Sequence, residues 1–139
     1  RYFVNSEYHS GNGPAFLFIG GEGMLNQYWT NGGAWIEFAK KYKALCFAVE
    51  HRFYGKSQPT GDTTIQSLQY LSSKQALADL RYFMQNMNSK HRLNANTKWI
   101  AFGGSYAGNL AAWLRLKSPD LVHGAVASSA PVLAKLDFS

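Results

Sequence analysis

Ser105 is the residue whose surroundings most favour chemistry. It lies in the segment Gly-Gly-Ser-Tyr-Ala-Gly, residues 103–108, directly after the apolar residues 99–102. A serine raised at a sharp strand-to-helix turn needs small neighbours, because its strained backbone leaves no room for larger side chains. The first N–H groups of the following helix can stabilise an oxyanion, and that of Tyr106 is the nearest. This serine turn (residues 103–108) therefore predicts a nucleophile for acyl transfer, Ser105, with an oxyanion donor at Tyr106.

The pattern usual for such a nucleophile is G-x-S-x-G. Gly103 and Ser105 fit it, whereas position 107 is alanine and is followed by Gly108. We regard this departure as mild, because alanine is also small enough for the turn. An ordinary turn or helix cap is the alternative. The buried strand expected before the serine and the small-residue helix expected after it favour the nucleophile.

A second segment suited to the same chemistry is Gly-Gly-Glu-Gly, residues 20–23, the glycine loop. Its glycines permit a close approach of the backbone to a ligand. Where a serine turn of this kind is used, the equivalent loop supplies the second oxyanion donor, so we expect that donor from Gly21 or Glu22. A flexible turn is the alternative. The Glu22 carboxylate would either bind a substrate amine or pair with an arginine.

A third polar segment, residues 50–57, has the sequence Glu-His-Arg-Phe-Tyr-Gly-Lys-Ser. It ends like a phosphate-binding loop, but Glu50 stands where that motif requires glycine and the intervening residues are bulky. We expect Glu50 and Arg52 to form an internal ion pair that pins the loop, rather than to act directly in catalysis. The connection continues to residue 71, and one of that length is usually functional or poorly ordered.

Apolar segments that alternate with segments of helical spacing position these loops. Strands are predicted at residues 15–19, 44–49, 99–102 and 124–128, and helices at residues 34–42, 72–88 and 106–117. This order predicts an α/β fold with a doubly wound, mainly parallel sheet and helices on both faces. Ser72 and Gln75 fit a capping box at the start of the second helix. Ligands bind beyond the carboxyl ends of such strands, which is where all three loops fall.

Composition narrows the functional classes. The chain has 139 residues, of which 46% are hydrophobic and 15% aromatic, which excludes a disordered chain and fits one domain or a piece of a larger one. No apolar run approaches the roughly 20 residues of a membrane span. The net charge is +6, but the basic residues are dispersed and belong to no known module, so we expect no nucleic-acid partner.

Metal and disulfide chemistry are not expected. The single cysteine, Cys46, excludes an internal disulfide and a cysteine-based zinc site, and the four histidines show no metal-ligand spacing. We therefore predict no metal and no cofactor. Trp29 and Trp35 follow the glycine loop and either line a pocket or pack in the core.

Taken together, the motifs resemble a known family over nearly the whole chain. The matching segments, in order, are residues 20–23, 50–55, 71–73, 75–79, 103–108 and 127–132. They look like the prolyl carboxypeptidase and dipeptidyl peptidase II family of serine peptidases. The sequences of residues 71–73, 103–108 and 136–139 most resemble its thymus-specific serine protease branch.

The resemblance implies an α/β-hydrolase with a helical cap domain inserted downstream. It also implies an exopeptidase that cleaves peptides at proline, from either terminus, through an acyl-enzyme. Members of the family are secreted or reside in acidic vesicles such as lysosomes, and are glycosylated, although this chain has no N-x-S/T sequon. Ser105 matches the family nucleophile, and Tyr106 and the glycine loop match its oxyanion donors.

The rest of a catalytic triad is expected outside this chain. In α/β-hydrolases the order is serine, then Asp or Glu, then His. After Ser105 come Asp120 and His123, which flank the start of the next strand, and Asp137, which precedes no histidine. Residues 1–139 are therefore predicted to be the N-terminal portion of one catalytic domain, without cap or C-terminal strands, and inactive by themselves. The alternatives are a serine esterase or lipase and a non-catalytic binding protein of this fold; the oligomeric state and pH optimum stay open.

Overall fold

The computed structural model describes residues 1–137, so Phe138 and Ser139 of the segment at 136–139 lie outside it. The strands are β1 (Tyr2–Asn5), β2 (Ala15–Ile19), β3 (Leu45–Val49), β4 (Trp99–Gly104) and β5 (Val122–Ser128). The helices are α1 (Ala34–Tyr42), α2 (Ile65–Leu68), α3 (Ser73–Lys90) and α4 (Tyr106–Lys117), with a 3₁₀ turn at Gln27–Thr30.

The strands form one sheet in the order β1-β3-β2-β4-β5. Strands β2 to β5 are parallel, and β1 pairs antiparallel with β3 at the edge. The predicted α/β fold with a mainly parallel, doubly wound sheet is therefore confirmed. Strand β1 was not predicted: its apolar run, Tyr2 to Val4, is very short, and nothing in it indicates the edge position at which only Asn5 is buried.

Helices cover both faces of the sheet, as predicted. The side chains of β2 alternate, so that Leu17 packs in a core cluster with Leu80 of α3 and Leu110 of α4. Its neighbour Phe16 packs on the opposite face with Trp35 of α1. Strand β2 is therefore apolar throughout because both of its faces are buried.

The order in which the chain adds strands to the sheet reverses at β2. The chain passes from β2 to β3 on one side of it and then to β4 on the other side. Such a switch point opens a crevice beyond the carboxyl ends of the two strands that meet there, β2 and β4. Phe18 of β2 is in register with Phe102 of β4, so the two strands end almost level. The loops that follow them, the glycine loop and the serine turn, flank this crevice.

Helix α3 begins as the capping signal predicts. The Ser72 side chain accepts a hydrogen bond from the Gln75 N–H at 3.3 Å. The Gln75 side chain does not complete the reciprocal bond, because it binds Arg52 and the carbonyl of Gln69 instead. Before α3, the long connection forms turns and the short helix α2, which Thr64 caps. Within residues 1–137, no helix has the length and apolarity needed to cross a membrane.

Candidate active site

Ser105 adopts the strained backbone that the serine turn predicts. Its φ is 55° and its ψ is −129°, between the end of β4 and the first residue of α4. A non-glycine residue in such a conformation costs on the order of 1–3 kcal/mol and persists only where its surroundings impose it. The side chain is exposed, and its hydroxyl makes no helix-capping bond to the described residues of α4. The Ser105 hydroxyl is therefore free for an incoming group.

Three backbone hydrogen bonds impose this conformation. The Ser105 N–H donates to the carbonyl of Ser128 at 3.0 Å, which ties the turn to β5. The Ser105 carbonyl accepts from the N–H groups of Gly108 at 2.8 Å and Asn109 at 3.2 Å, which ties it to α4. The position of Ser105 is thus fixed by the sheet on one side and by the helix on the other.

Close backbone packing explains the small residues of the serine turn. A Cβ atom on Gly103 would lie 2.1 Å from the carbonyl oxygen of Ala107, and one on Gly108 would lie 3.0 Å from the Ala130 Cβ. Ala107 is itself buried, and its methyl group fits without conflict. The departure from G-x-S-x-G at position 107 therefore leaves the turn intact.

The glycine loop lies against the first turn of α4. A Cβ atom on Gly21 would lie 3.8 Å from the Cβ of Ala107, an ordinary contact distance. The Gly20 N–H donates to the carbonyl of Val49 at 2.8 Å, which fixes the start of the loop. The N–H of Tyr106 is at the first position of α4, where backbone donors have no partner within the helix. The two sources of oxyanion donors predicted from the sequence are thus neighbours, and their role as donors stays a prediction.

A cavity of about 460 Å³ opens beside the serine turn. Gly21 and Glu22 line it on one side, and Gly104 and Ala107, which bracket Ser105, line it on another. Five aromatic residues also line it: Phe18, Trp29, Trp35, Phe38 and Phe102. Trp35 is also buried in the core, so it both lines the cavity and packs in the core.

Glu50 is a buried carboxylate that holds three segments together. It accepts hydrogen bonds from the Arg1 guanidinium, from the N–H of Leu25 at 2.8 Å, from the N–H of Lys56 at 2.9 Å and from the Ser57 hydroxyl at 2.8 Å. Burial raises the pKa of Glu50, but these hydrogen bonds, that from Arg1 foremost, outweigh it and lower the pKa to about 2. The carboxylate is therefore ionised and fully engaged, and it fixes the chain just after the glycine loop.

The predicted ion pair between Glu50 and Arg52 is wrong. Arg52 binds Asp79 of α3 through two hydrogen bonds of 2.7 Å, and it also donates to the Tyr70 carbonyl and the Gln75 side chain. The chain turns after residue 50, so the Glu50 and Arg52 side chains lead to different elements. Each anchors the loop through a partner that is distant in sequence.

His51 contacts the serine turn, a role that the sequence analysis missed. The side chain is buried, its Nε2 lies 3.0 Å from the Tyr106 hydroxyl, and its Nδ1 lies 2.7 Å from the Arg52 carbonyl. A carbonyl only accepts hydrogen bonds, so Nδ1 carries a proton, and when the ring is neutral this leaves Nε2 to accept from Tyr106. The only sequence signal was the position of His51 between two anchoring residues at the carboxyl end of β3.

The described histidines offer Ser105 no free general base. Both nitrogens of His51 are engaged. His9 follows β1, His91 ends α3 and His123 is the second residue of β5, so all three lie at the amino ends of the parallel strands, away from the serine turn. Asp120 is held by Arg81 through bonds of 2.9 and 2.6 Å. No group of His, Cys, Asp and Glu side chains within residues 1–137 is arranged to hold a metal ion.

Known structures share this fold. The chain superimposes on the crystal structure of proline iminopeptidase from Mycobacterium smegmatis with a TM-score of 0.68, covering 94% of this chain and 40% of that one, at 14% sequence identity. At this identity the match shows the α/β-hydrolase fold alone.

Relatives found by sequence share a much higher identity with the chain. The chain is 47% identical over its whole length to thymus-specific serine protease from Mus musculus and 41% identical, over 95% of its length, to lysosomal Pro-X carboxypeptidase from Pongo abelii. It spans only 28% and 27% of these two proteins. The family model for serine carboxypeptidase S28 matches residues 1–139. The chain therefore belongs to the serine carboxypeptidase S28 family of peptidases.

Proposed function

We propose that the protein containing this chain is a serine exopeptidase that cleaves peptides at proline through an acyl-enzyme. Residues 1–139 form the N-terminal portion of its catalytic domain and carry the nucleophile half of the site. The observation that carries this proposal is the exposed side chain of Ser105 on a backbone held at a φ of 55°. A strain of this kind at a switch-point crevice favours a functional residue over an ordinary turn.

In the proposed reaction the Ser105 Oγ attacks the carbonyl carbon of the scissile peptide bond. A new C–O bond forms, the carbonyl electrons move onto its oxygen, and the hydroxyl proton passes to a histidine. That proton is then delivered to the leaving nitrogen as the C–N bond breaks, which leaves an ester on Ser105. In the second half, water attacks the ester carbonyl and gives a proton to the histidine, which passes it to the Ser105 Oγ as the ester C–O bond breaks and the acid is released.

The oxyanion of each step is bound by the N–H of Tyr106 and by one from Gly21 or Glu22. The contact between the glycine loop and the first turn of α4 supports this assignment. The loss of one such donor typically lowers kcat by about 10²–10³-fold.

The histidine and the acid that orients it are supplied by residues outside 1–139. This follows from the chain order of α/β-hydrolases and from the engagement or remoteness of the described histidines. Without that base the Ser105 hydroxyl keeps its high pKa and attacks poorly. The 139 residues by themselves are then inactive.

Two features support a peptide substrate cleaved at proline. The aromatic cavity beside Ser105 suits an apolar ring such as that of proline. A family member, lysosomal Pro-X carboxypeptidase, bears this specificity in its name.

Because of the same family relationship, we propose that the protein is secreted or resides in an acidic vesicle such as the lysosome. Glu22, at the mouth of the cavity, is proposed to face the substrate amine.

The test uses the full-length protein and a fluorophosphonate probe, which labels activated serines. Wild type is expected to be labelled at Ser105, Ser105→Ala is expected not to react, and Ser89→Ala, a serine at the exposed end of α3, is expected to react as wild type. Absence of labelling in folded wild-type protein overturns the proposal.

Substrate class is tested in parallel with three compounds. These are a peptide with proline before its last residue, a peptide with proline second from a free amino terminus, and a p-nitrophenyl ester. Turnover of either peptide supports the exopeptidase and identifies the terminus that it attacks. Hydrolysis of the ester alone supports an esterase or lipase of the same fold instead.

A further inference from the structure

We infer that His51 is a positioning residue for the serine turn and acts through its hydrogen bond to the Tyr106 hydroxyl. This inference rests on the proposed function, because it concerns how the nucleophile and its oxyanion donor are held. His51 does not touch the substrate in this scheme.

The contact lies one residue from the nucleophile. Tyr106 directly follows Ser105, and its hydroxyl is 3.0 Å from Nε2 of His51. The two rings also pack with their centroids 5.5 Å apart. Since the Tyr106 N–H is the proposed oxyanion donor, a tether on the Tyr106 side chain restrains that donor and the strained residue before it.

The geometry of His51 is itself locked. Its Nδ1–H donates to the Arg52 carbonyl at 2.7 Å, which sets the orientation of the ring and leaves Nε2 as the acceptor when the ring is neutral. Burial, then the neighbouring Tyr54 and Glu22, raise the pKa of Tyr106, so its hydroxyl keeps its proton and remains a donor. Donor and acceptor are therefore matched in one arrangement.

The residues on either side of His51 extend the same restraint. Glu50 accepts from the N–H of Leu25, just after the glycine loop, at 2.8 Å. Arg52 is clamped to Asp79 of α3 by two hydrogen bonds. The segment 50–52 thus links three elements that have to keep their places: the glycine loop, the serine turn and α3. It connects both proposed sources of oxyanion donors through His51 and Glu50.

A double-mutant cycle in the full-length protein tests the inference. Tyr106→Phe and His51→Leu each remove the hydrogen bond. Each is expected to lower kcat about tenfold, with KM within twofold of wild type, and to lower the rate of fluorophosphonate labelling about tenfold as well. The double variant is expected to lose little more than either single variant, because both remove the same contact. His51→Gln, whose amide oxygen can still accept from Tyr106, is expected to recover part of the rate.

The matched control is Tyr82→Phe, since Tyr82 is an exposed tyrosine on α3. It is expected to leave kcat, KM and labelling unchanged. Thermal melting of each variant separates a positioning effect from loss of folded protein, and Tyr106→Phe supplies the readout if His51→Leu does not fold.

Two outcomes overturn the inference while the proposed function stands. One is a wild-type labelling rate in Tyr106→Phe when Ser105→Ala is unreactive. The other is independent, multiplicative losses in the double variant, which would show that the two side chains act separately. Unreactive wild-type protein would instead refute the proposed function, and this inference with it.

Discussion

Gly103 packs its Cα directly against the backbone carbonyl of Ala107, where an added Cβ atom would lie only 2.1 Å from the oxygen. The end of β4 and the first turn of α4 therefore touch backbone to backbone. Gly104, one residue later, has nothing within 4 Å of the position of its Cβ. Of the two consecutive glycines, only the first is required by the turn.

Alanine substitutions at these two positions are expected to differ sharply. Gly103→Ala must displace the first turn of α4, and with it the Ser105 hydroxyl and the Tyr106 N–H. We expect kcat/KM to fall by at least about 10²-fold, as is typical for a displacement of about 1 Å at a catalytic group. Gly104→Ala is expected to stay within about threefold of wild type. Peptidase assays of the two full-length variants measure the difference, and equal losses would contradict the steric argument.

Gly55 faces Glu50 in a similar way, with a consequence for stability. Its φ is +55°, and a Cβ atom there would lie 2.0 Å from a Glu50 carboxylate oxygen. Gly55→Ala is expected to destabilise the fold by roughly 1 kcal/mol for the backbone conformation, and by about 1–3 kcal/mol more because hydrogen bonds to the buried carboxylate are displaced. A lowered thermal midpoint is the readout.

Gly61→Ala is the matched control for Gly55→Ala. Gly61 has a φ of +76° but nothing within 4 Å of its Cβ position. It therefore carries the conformational cost without the collision. Midpoints that fall equally in the two variants would show that the contact with Glu50 adds nothing.

The contribution of Glu50 to stability is expected to depend on pH. Its pKa in the folded protein is about 2, below the ordinary value of 4.5, so the ionised form favours the fold. The stabilisation is complete above pH 4.5 and is lost as the pH falls from 4.5 towards 2. The shift corresponds to about 3 kcal/mol. Part of the decline in melting temperature at acid pH is due to protonation of the Glu50 carboxylate. That part should be absent in Glu50→Gln.

Glu37→Gln provides the comparison for that experiment. Glu37 is exposed on α1 and pairs with Lys40 at 2.9 Å, so its removal is expected to change the acid profile little. If the melting profiles of Glu50→Gln and wild type run parallel between pH 4.5 and 2, the buried carboxylate does not drive the decline. Should Glu50→Gln fail to fold, Ser57→Ala, which removes one donor to Glu50, gives a weaker version of the same test.

Local signals explain why most elements were predictable. Helix α4 was predicted with the bounds observed, Tyr106–Lys117, because the serine turn begins it and Pro119 follows its end. Strand β2 was equally clear as an apolar run between Gly-Pro and Gly-Gly. Strand β1 was missed because the apolar run Tyr2 to Val4 is too short to identify a strand by itself, and its place in the sheet depends on pairing with β3, which is distant in sequence.

The partners of the charged side chains depend instead on contacts between distant residues. Ser105, as the residue at a strained turn, follows from its neighbours in sequence. The partner of Glu50 is Arg1, 49 positions away, and that of Arg52 is Asp79, 27 positions away. Nearness in sequence suggested pairing Glu50 with Arg52. The bond between His51 and Tyr106 spans 55 positions and was inaccessible for the same reason.

Glu22 connects the site to the choice of substrate terminus. It is exposed, lines the cavity beside the serine turn, and lies near enough to Tyr106 for its charge to contribute to the raised pKa of that residue, after burial and Tyr54. No arginine of the described residues is bound to it in an ion pair. The role that we propose for Glu22 is therefore to bind a substrate amine, and a variant of this residue tests it.

Glu22→Gln removes the charge with little change in shape. For a peptide with a free amino terminus we expect KM to rise about fivefold, the size of an ion pair at a partly exposed site. For the same peptide with an acetylated terminus KM should not change, because no cation faces the carboxylate. Glu37→Gln on α1 serves again as the control and should affect neither peptide.

If Glu22→Gln raises KM equally for both peptides, the carboxylate shapes the cavity rather than recognising the amine. If it raises neither, Glu22 has no part in substrate binding, and specificity for a terminus arises from other residues.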